Sequence, residues 1–157
     1  MSEIKTYPVS AETARAAHAD NDKYLEMYQR SVDDPEGFWG EQAKELVSWF
    51  KPWDRVMDVD YHKAHIKWFE GGKLNVCYNC VDRHLETRGD QVAIIWEGDD
   101  PDIDKSITYS ELFEDVCKLA NVLKDRGVNK GDRVSIYMPM IPEAAVRPFS
   151  FRVGATA

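Results

Sequence analysis

Between residues 106 and 146 the apolar and polar positions change period twice, and the changes set out the elements of that stretch. Ser106 to Thr108 reads as strand or turn. Leu112, Val116, Leu119, Ala120 and Leu123 then recur three or four residues apart, one face of a helix. Thr108-Tyr109-Ser110-Glu111 is the capping-box pattern: the Thr hydroxyl takes an amide of the first turn and the Glu reaches back to the cap amide. Gly127, after Lys124 and Arg126, stops the helix with cations against its carbonyl end. Gly131-Asp132 turns the chain, Arg133-Val134-Ser135-Ile136-Tyr137 alternates as a strand, and Pro142 suits the first turn of another helix. The pattern predicts helix over 109–126, strand over 133–137 and helix from 142, the repeating unit of an α/β sheet.

The same reading covers the earlier part. A short helix starts near Asp22 with Tyr24, Met27 or Tyr28, and Val32 on one side. Asp34-Pro35-Glu36 starts a second, with Asp as cap, Pro at the first position and an acid in the first turn. Phe38, Trp39, Ala43, Leu46, Val47 and Phe50 give that helix a wide apolar face, ended by Lys51-Pro52-Trp53. Three of the five tryptophans fall between residues 39 and 53, an aromatic stripe read as packing. Residues 54–76 read as irregular with short strands: Ile66 to Phe69 extended, Gly71-Gly72 a turn, Leu74 to Val76 extended again. Asn79 to Arg88 is predicted as a helix stopped by Gly89, and Gln91 to Glu97 as a buried strand. Gly98-Asp99-Asp100-Pro101-Asp102 is a surface turn. Residues 1–21 carry few apolar anchors and are expected to form a mobile leader.

Composition narrows the classes. The chain has 157 residues, 43% of them hydrophobic and 11% aromatic, enough for one domain with a core. A formal charge of −8 with no basic cluster argues against nucleic acid and against an anionic membrane as partners. No apolar run reaches the ~18 residues of a membrane span, and the start lacks the apolar core of a signal peptide. The cytoplasm is the expected compartment. Three cysteines give no disulfide framework. Cys77-Tyr78-Asn79-Cys80, with His84 four residues on, keeps open a thiol-redox or zinc reading against one of ordinary reduced cysteines. Asp82-Arg83-His84 places acid, cation and base side by side. Consecutive helical side chains diverge by about 100°, so a structural cluster is expected there. No GxGxxG, P-loop, HExxH or GxSxG pattern is present.

Several of these segments, in this order, resemble the N-terminal portion of the acetyl-CoA synthetases, AMP-forming members of the adenylate-forming acyl-CoA synthetases. They are Asp34 to Gly40, Ile66 to Glu70, Asn79 to Leu85, Gly89-Asp90, Ala93 to Asp99, Thr108 to Leu112 and Tyr137 to Val146. Ile94-Ile95-Trp96-Glu97-Gly98-Asp99 favours that family over the related propionyl-CoA synthetases. The resemblance implies an α/β chain whose N-terminal helices pack on an incomplete β-α-β unit of the family's large domain. It also implies a division into an N-terminal helical and irregular region over 22–88, the start of the AMP-binding domain over 89–146, and an aberrant tail over 147–157. The family makes acetyl-AMP from acetate and ATP with magnesium, then passes the acetyl group to coenzyme A. The chain is several times shorter than such an enzyme and lacks its Ser/Thr/Gly-rich phosphate loop. No catalytic, cofactor-binding or metal residue is therefore carried over, and the piece alone is expected to bind no ATP, magnesium or coenzyme A and to be inactive. The competing reading is a free-standing binding module that associates with a full-length synthetase or another partner.

Two further expectations follow. About half a dozen apolar side chains would lack partners in so short a piece, at roughly 1.5–3 kcal/mol each. Native stability is only about 5–15 kcal/mol, so a marginal or self-associating species is expected. After Val146 the family continues its helix into Arg-Ile-Gly-Ala, whereas here Arg147-Pro148-Phe149-Ser150-Phe151 intervenes, and Pro148 is expected to disrupt the helix begun at Pro142. Codons for this tail read one base out of step can spell a family-like Ala-Phe-Leu. A frame disturbance predicts that the coding DNA continues the family sequence in a neighbouring frame; a neighbouring frame without it rules the disturbance out.

Overall fold

The computed structural model describes Lys5, residues 7–100 and residues 102–150. The start of the expected leader, Pro101 of the acidic turn and residues 151–157 of the tail lie outside the described residues. The chain forms two compact units, Met1–Glu45 and Leu46–Ala157.

The first unit is helical. Ser10 caps a short helix, α1 (Ala11–Ala16), none of whose residues is buried. Asp20 caps α2 (Asn21–Asp33) through the amide of Lys23. Asp34 closes one helix and opens the next. Its amide donates to Arg30 O at 2.9 Å, and its carboxylate accepts from Gly37 N at 3.0 Å to start α3 (Pro35–Leu46). A Cβ on Gly37 would stand 2.1 Å from that carboxylate, which is why glycine follows the cap here. Arg30 pairs with Glu41 and lies over the ring of the buried Phe38, 5.8 Å from its centroid.

α3 ends at Leu46, four residues short of the predicted Phe50. The reason is non-local. Ser48 N donates to Asn79 Oδ1 at 2.8 Å, while Phe50 N and Lys51 N both donate to Lys73 O. Amides engaged by distant acceptors are lost to the helix ladder.

The second unit contains two antiparallel hairpins. β1 (Arg55–Asp60) pairs with β2 (His65–Glu70), Met57 opposite Trp68 and Val59 opposite Ile66. β3 (Val92–Glu97) pairs with β4 (Asp104–Thr108), Ile94 opposite Ile107 and Trp96 opposite Lys105, with an irregularity between Val92 and Ile94. Trp49, Trp53 and Phe69 make a cluster of rings with centroids 4.9 to 5.5 Å apart, the packing role expected of the aromatic stripe.

The predicted helix over 79–88 is broken into α4 (Val76–Cys80), a 3₁₀ turn (Asp82–His84) and α5 (Leu85–Arg88). Asn75, read as extended, caps α4 through the amide of Tyr78 at 2.9 Å. The break falls at Val81, whose backbone leaves the helical region and whose side chain is wholly buried.

α6 (Tyr109–Asp125) has the predicted capping box: Thr108 Oγ1 accepts from Glu111 N, and Glu111 accepts from Thr108 N at 2.8 Å. It ends at Gly127, whose φ of +81° is a conformation that costs glycine nothing. Leu112 and Val116 pack with Cys77, Val81, Ile107 and Val146 to form the core of this unit, bordered by Ala93, Ile94, Phe113, Leu119 and Phe149.

The molecule is α/β, but two expected details of the β-α-β unit differ. Residues 133–137 form no strand and have no ladder partner; β3 pairs instead with β4, antiparallel and close in sequence. The strand over 92–97 is also not fully buried: Ile95 is 75% exposed. Finally, α7 (Glu143–Ser150) runs through Pro148 instead of stopping before it. A proline withholds one amide from the ladder, here the one aimed at Ala144 O. The next turn has a substitute bond, Ser150 Oγ to Arg147 O at 2.7 Å.

The cap and the core separate by size of effect. Thr108→Ala is expected to cost about 1 kcal/mol, and Leu112→Ala about 2–5 kcal/mol. Urea titration followed by circular dichroism measures both; equal losses would show that Leu112 does not occupy the core.

Candidate functional site

The side chains that sequence reasoning singled out do not converge. Arg83 Nη1 donates to Leu46 O at 3.1 Å, Asn79 Oδ1 at 3.2 Å and Ser48 Oγ at 3.4 Å, so the guanidinium ties residues 46–48 to α4. His84 lies against the ring of Tyr109, centroids 5.4 Å apart. Asp82 accepts from the buried Cys77 Sγ at 3.3 Å. Arg83 Nε also donates to His84 Nε2 at 3.4 Å, the hydrogen-bonded structural cluster expected, while the other contacts of the three neighbours go to different partners. Cys80 is exposed while Cys77 is buried, and among the described residues no three His, Cys, Asp or Glu side chains are placed to hold a metal ion.

Charged groups are concentrated on the β1–β2 hairpin. Arg55 pairs with Asp58 and with Glu70, the latter at 2.9 Å; Lys67 meets Glu70 at 3.0 Å, and His65 Nε2 meets Asp58 at 3.0 Å. The hydrogen bond from His65, helped by Arg55, holds the Asp58 carboxyl below its ordinary range. Lys67 and then Arg55 do the same for Glu70, and the Glu70 contact raises Arg55. Every pair is solvent-exposed, so each contributes little to stability. Their chemical meaning is that these cations already have counter-ions.

A polar pocket of about 220 Å³ lies where β4 meets α6, lined by Lys105, Ser106, Ile107, Glu111, Glu114, Asp115 and Lys118. Glu111 is committed to the cap, and the Thr108 amide followed by its hydroxyl holds that carboxyl below its usual range. Lys118 is held by Asp115 and Glu114, which raise it. A phosphate would have to displace these carboxylates.

The larger cavity, about 590 Å³, is a groove that sequence reasoning did not find. Ile94, Ile95, Trp96 and Glu97 of β3 form one wall, and Met140, Ile141, Pro142, Ala144 and Ala145 the other. Trp96 Nε1 donates to Met140 O at 2.8 Å and fixes the spacing. The lining is apolar apart from Glu97, with no nucleophile and no acid–base pair. Such a groove can take up an apolar segment; it has no group to move a proton or stabilise a developing charge. The signal in the sequence was Met138-Pro139-Met140-Ile141-Pro142, an apolar run with two prolines that cannot all be buried in a helix.

Comparison with known proteins places this geometry. The family profile described as acetyl-coenzyme A synthetase N-terminus matches residues 24–80, and the one described as AMP-binding enzyme matches residues 81–150. The chain is 61% identical over 156 residues to the acetyl-coenzyme A synthetase of Magnetococcus marinus, which covers 99% of this chain and 24% of that protein. It is 57% identical over 158 residues to the acetyl-coenzyme A synthetase of Vibrio cholerae, with the same coverage of 99% and 24%. A solved structure, acetoacetyl-CoA synthetase from Streptomyces lividans, superimposes with a TM-score of 0.71 at 30% identity, over 89% of this chain and 21% of that one. The chain spans about a quarter of the length of the curated relatives it matches.

The hairpin charges give a titration that can be read directly. Carboxylates lowered in the folded state stabilise it above the unfolded carboxylate range, and that contribution is lost as pH falls through the folded value. The Asp58 midpoint, followed by NMR, is expected below the usual aspartate value and to move up in His65→Gln. An unmoved midpoint would show that His65 does not set it.

Proposed function

The chain belongs to the acetyl-coenzyme A synthetase family, matching its N-terminal portion, and from that premise we propose that it is the N-terminal part of an acetate–CoA ligase. The observation that carries this reading is 61% identity maintained along 99% of the chain. In the proposed reaction of the whole enzyme an acetate oxygen attacks the α-phosphorus of ATP and pyrophosphate leaves. The sulfur of coenzyme A then attacks the acetyl carbonyl, and AMP leaves.

On this reading the part holds no nucleotide or magnesium itself, which the engagement of four of its cations supports. A triphosphate needs several free donors converging on it, with a cation. Arg55, Lys67 and Lys118 are already paired with carboxylates, and Arg83 is engaged by Leu46, Ser48 and Asn79. We therefore assign no step of the reaction to this stretch, and its role is to build the outer framework of the large domain. Among the described residues no helix is long and apolar enough to cross a membrane; the cytoplasm is the compartment proposed.

Two measurements test the reading. Acetate-dependent ATP–pyrophosphate exchange with magnesium is expected to stay at background for this chain alone; exchange above background would mean that a nucleotide site is present here. Grafted in place of the matching quarter of the Magnetococcus marinus enzyme, the chain is expected to support acetate-dependent exchange. A soluble chimera without exchange would count against the chain being a working part of such a ligase.

A further inference from the structure

Two of the chain's three cysteines, Cys77 and Cys80, stand on α4, and the fold exposes them unequally. Cys77 is 3% exposed and lies in the core with Val81 and Leu112. Cys80, about one helical turn on, is exposed. With no metal-holding group among the described residues, what is left of the Cys77-Tyr78-Asn79-Cys80 pattern is a pair of thiols on one short helix.

The pair has the spacing of a bridge that can close and reopen. Residues i and i+3 of a helix stand about 5 Å apart at Cα, from a rise of about 1.5 Å per residue and a radius of about 2.3 Å. Disulfides span roughly 4.4–6.8 Å between Cα atoms. At Cβ the helix leaves about 5–6 Å where a disulfide needs roughly 3.5–4.5 Å, so closure must draw the two residues together by about 1–2 Å.

The chain can give way at Cys80. It is the last residue of α4, and Val81 has already left the helical region. Asn79 is anchored instead: its side chain accepts from Ser48 N at 2.8 Å and donates to Ser48 O at 3.0 Å. Closure therefore works against the bond of 2.8 Å from Val81 N to Cys77 O, which spans both cysteines. A disulfide that opposes a helical turn is one that a thiol reopens, the property of labile bridges and not of structural ones.

The buried thiol also has a place to leave its proton. Cys77 Sγ donates to Asp82 Oδ2 at 3.3 Å. The thiolate is the nucleophile in disulfide exchange, so Cys77 must give up that proton on attack, and this carboxylate lies in place to take it.

We propose that Cys77 and Cys80 form a reversible dithiol–disulfide switch, in which exposed Cys80 reacts with a small-molecule disulfide and buried Cys77 resolves the adduct with Asp82 as its base. With oxidised glutathione, the Cys80 thiolate attacks one sulfur and the S–S bond of glutathione breaks. A mixed disulfide forms on Cys80, and the first glutathione thiolate takes up a proton in place of the one Cys80 lost. Cys77 then passes its proton to Asp82, and its sulfur attacks Cys80 Sγ. The second glutathione leaves as a thiolate and takes up that proton. Two protein thiols are oxidised, and one disulfide is reduced to two thiols. Reduced glutathione runs the same steps backward.

The whole chain, equilibrated in glutathione buffers and quenched with acid, is read by peptide mass mapping. Wild type is expected to lose two hydrogens and keep no glutathione, with residues 77 and 80 joined. Cys77→Ala should instead retain one glutathione on Cys80. Cys80→Ser, an exposed replacement that leaves the core intact, should leave Cys77 unmodified. Asp82→Asn should form the Cys80 adduct at the wild-type rate and close it about a hundredfold more slowly, a split that a merely structural role would not produce. In urea the preference for Cys80 should vanish, since burial creates it. A wild-type chain that keeps glutathione on Cys80, joins either residue to Cys117, or stays reduced at every glutathione ratio overturns the proposal. So does native Cys77 reacting as fast as Cys80, or closure at an unchanged rate in Asp82→Asn.

Discussion

The backbone of Thr108 belongs to a strand and its side chain to a helix, and the geometry of the second unit depends on that double membership. Paired with Val92, it is the last residue of β4; through its hydroxyl and Glu111 it closes the first turn of α6. No loop separates the two elements, so the direction of the hairpin fixes the direction of the helix. Leu112 and Val116, one and two turns along, then fall among Ile107, Val81 and Cys77. A charged Glu111 at the positive end of the helix adds to the same arrangement.

What could be read in the sequence is what local residues decide. α6 was legible from end to end because its cap, apolar face and glycine stop all lie within twenty or so positions of one another. The Asp34 junction was legible for the same reason. The end of α3 was not, since Lys73 and Asn79 capture amides of residues 48–51 from far along the chain. Nor was the break at Val81, which reflects the burial of one side chain in a core assembled from several elements. Period two in residues 133–137 predicted a strand that does not form, because a ladder is a property of two segments. The groove was hidden on the same ground: its walls are brought together by a contact between Trp96 and Met140 that no periodicity announces.

Among the described residues the second unit leaves apolar side chains exposed beside unpaired strand backbone. Met140 is 89% exposed and lies with Ile95 beside the open β3 edge, and Ile136 and Tyr137 are exposed as well. Isolated apolar residues on a surface need no explanation, but several of them beside unpaired backbone do. The chain spans about a quarter of the length of its relatives, and a sheet of two strands is too small to satisfy both of its edges.

Chemistry and framework are divided differently. Adenylation concentrates negative charge on phosphates, and a protein meets it with donors held free for that purpose. Here Arg55, Lys67 and Lys118 face carboxylates, and Arg83 binds the backbone of Leu46 together with polar side chains. Spending cations on local contacts stiffens a hairpin and a helix end. The polar pocket holds Glu111, engaged in the cap, and Lys118, paired with Glu114 and Asp115, while the groove is lined by apolar side chains of β3 and residues 140–145. On the reading proposed for the whole enzyme, this stretch contributes an edge on which further strands can be laid, and the reacting groups must come from elsewhere.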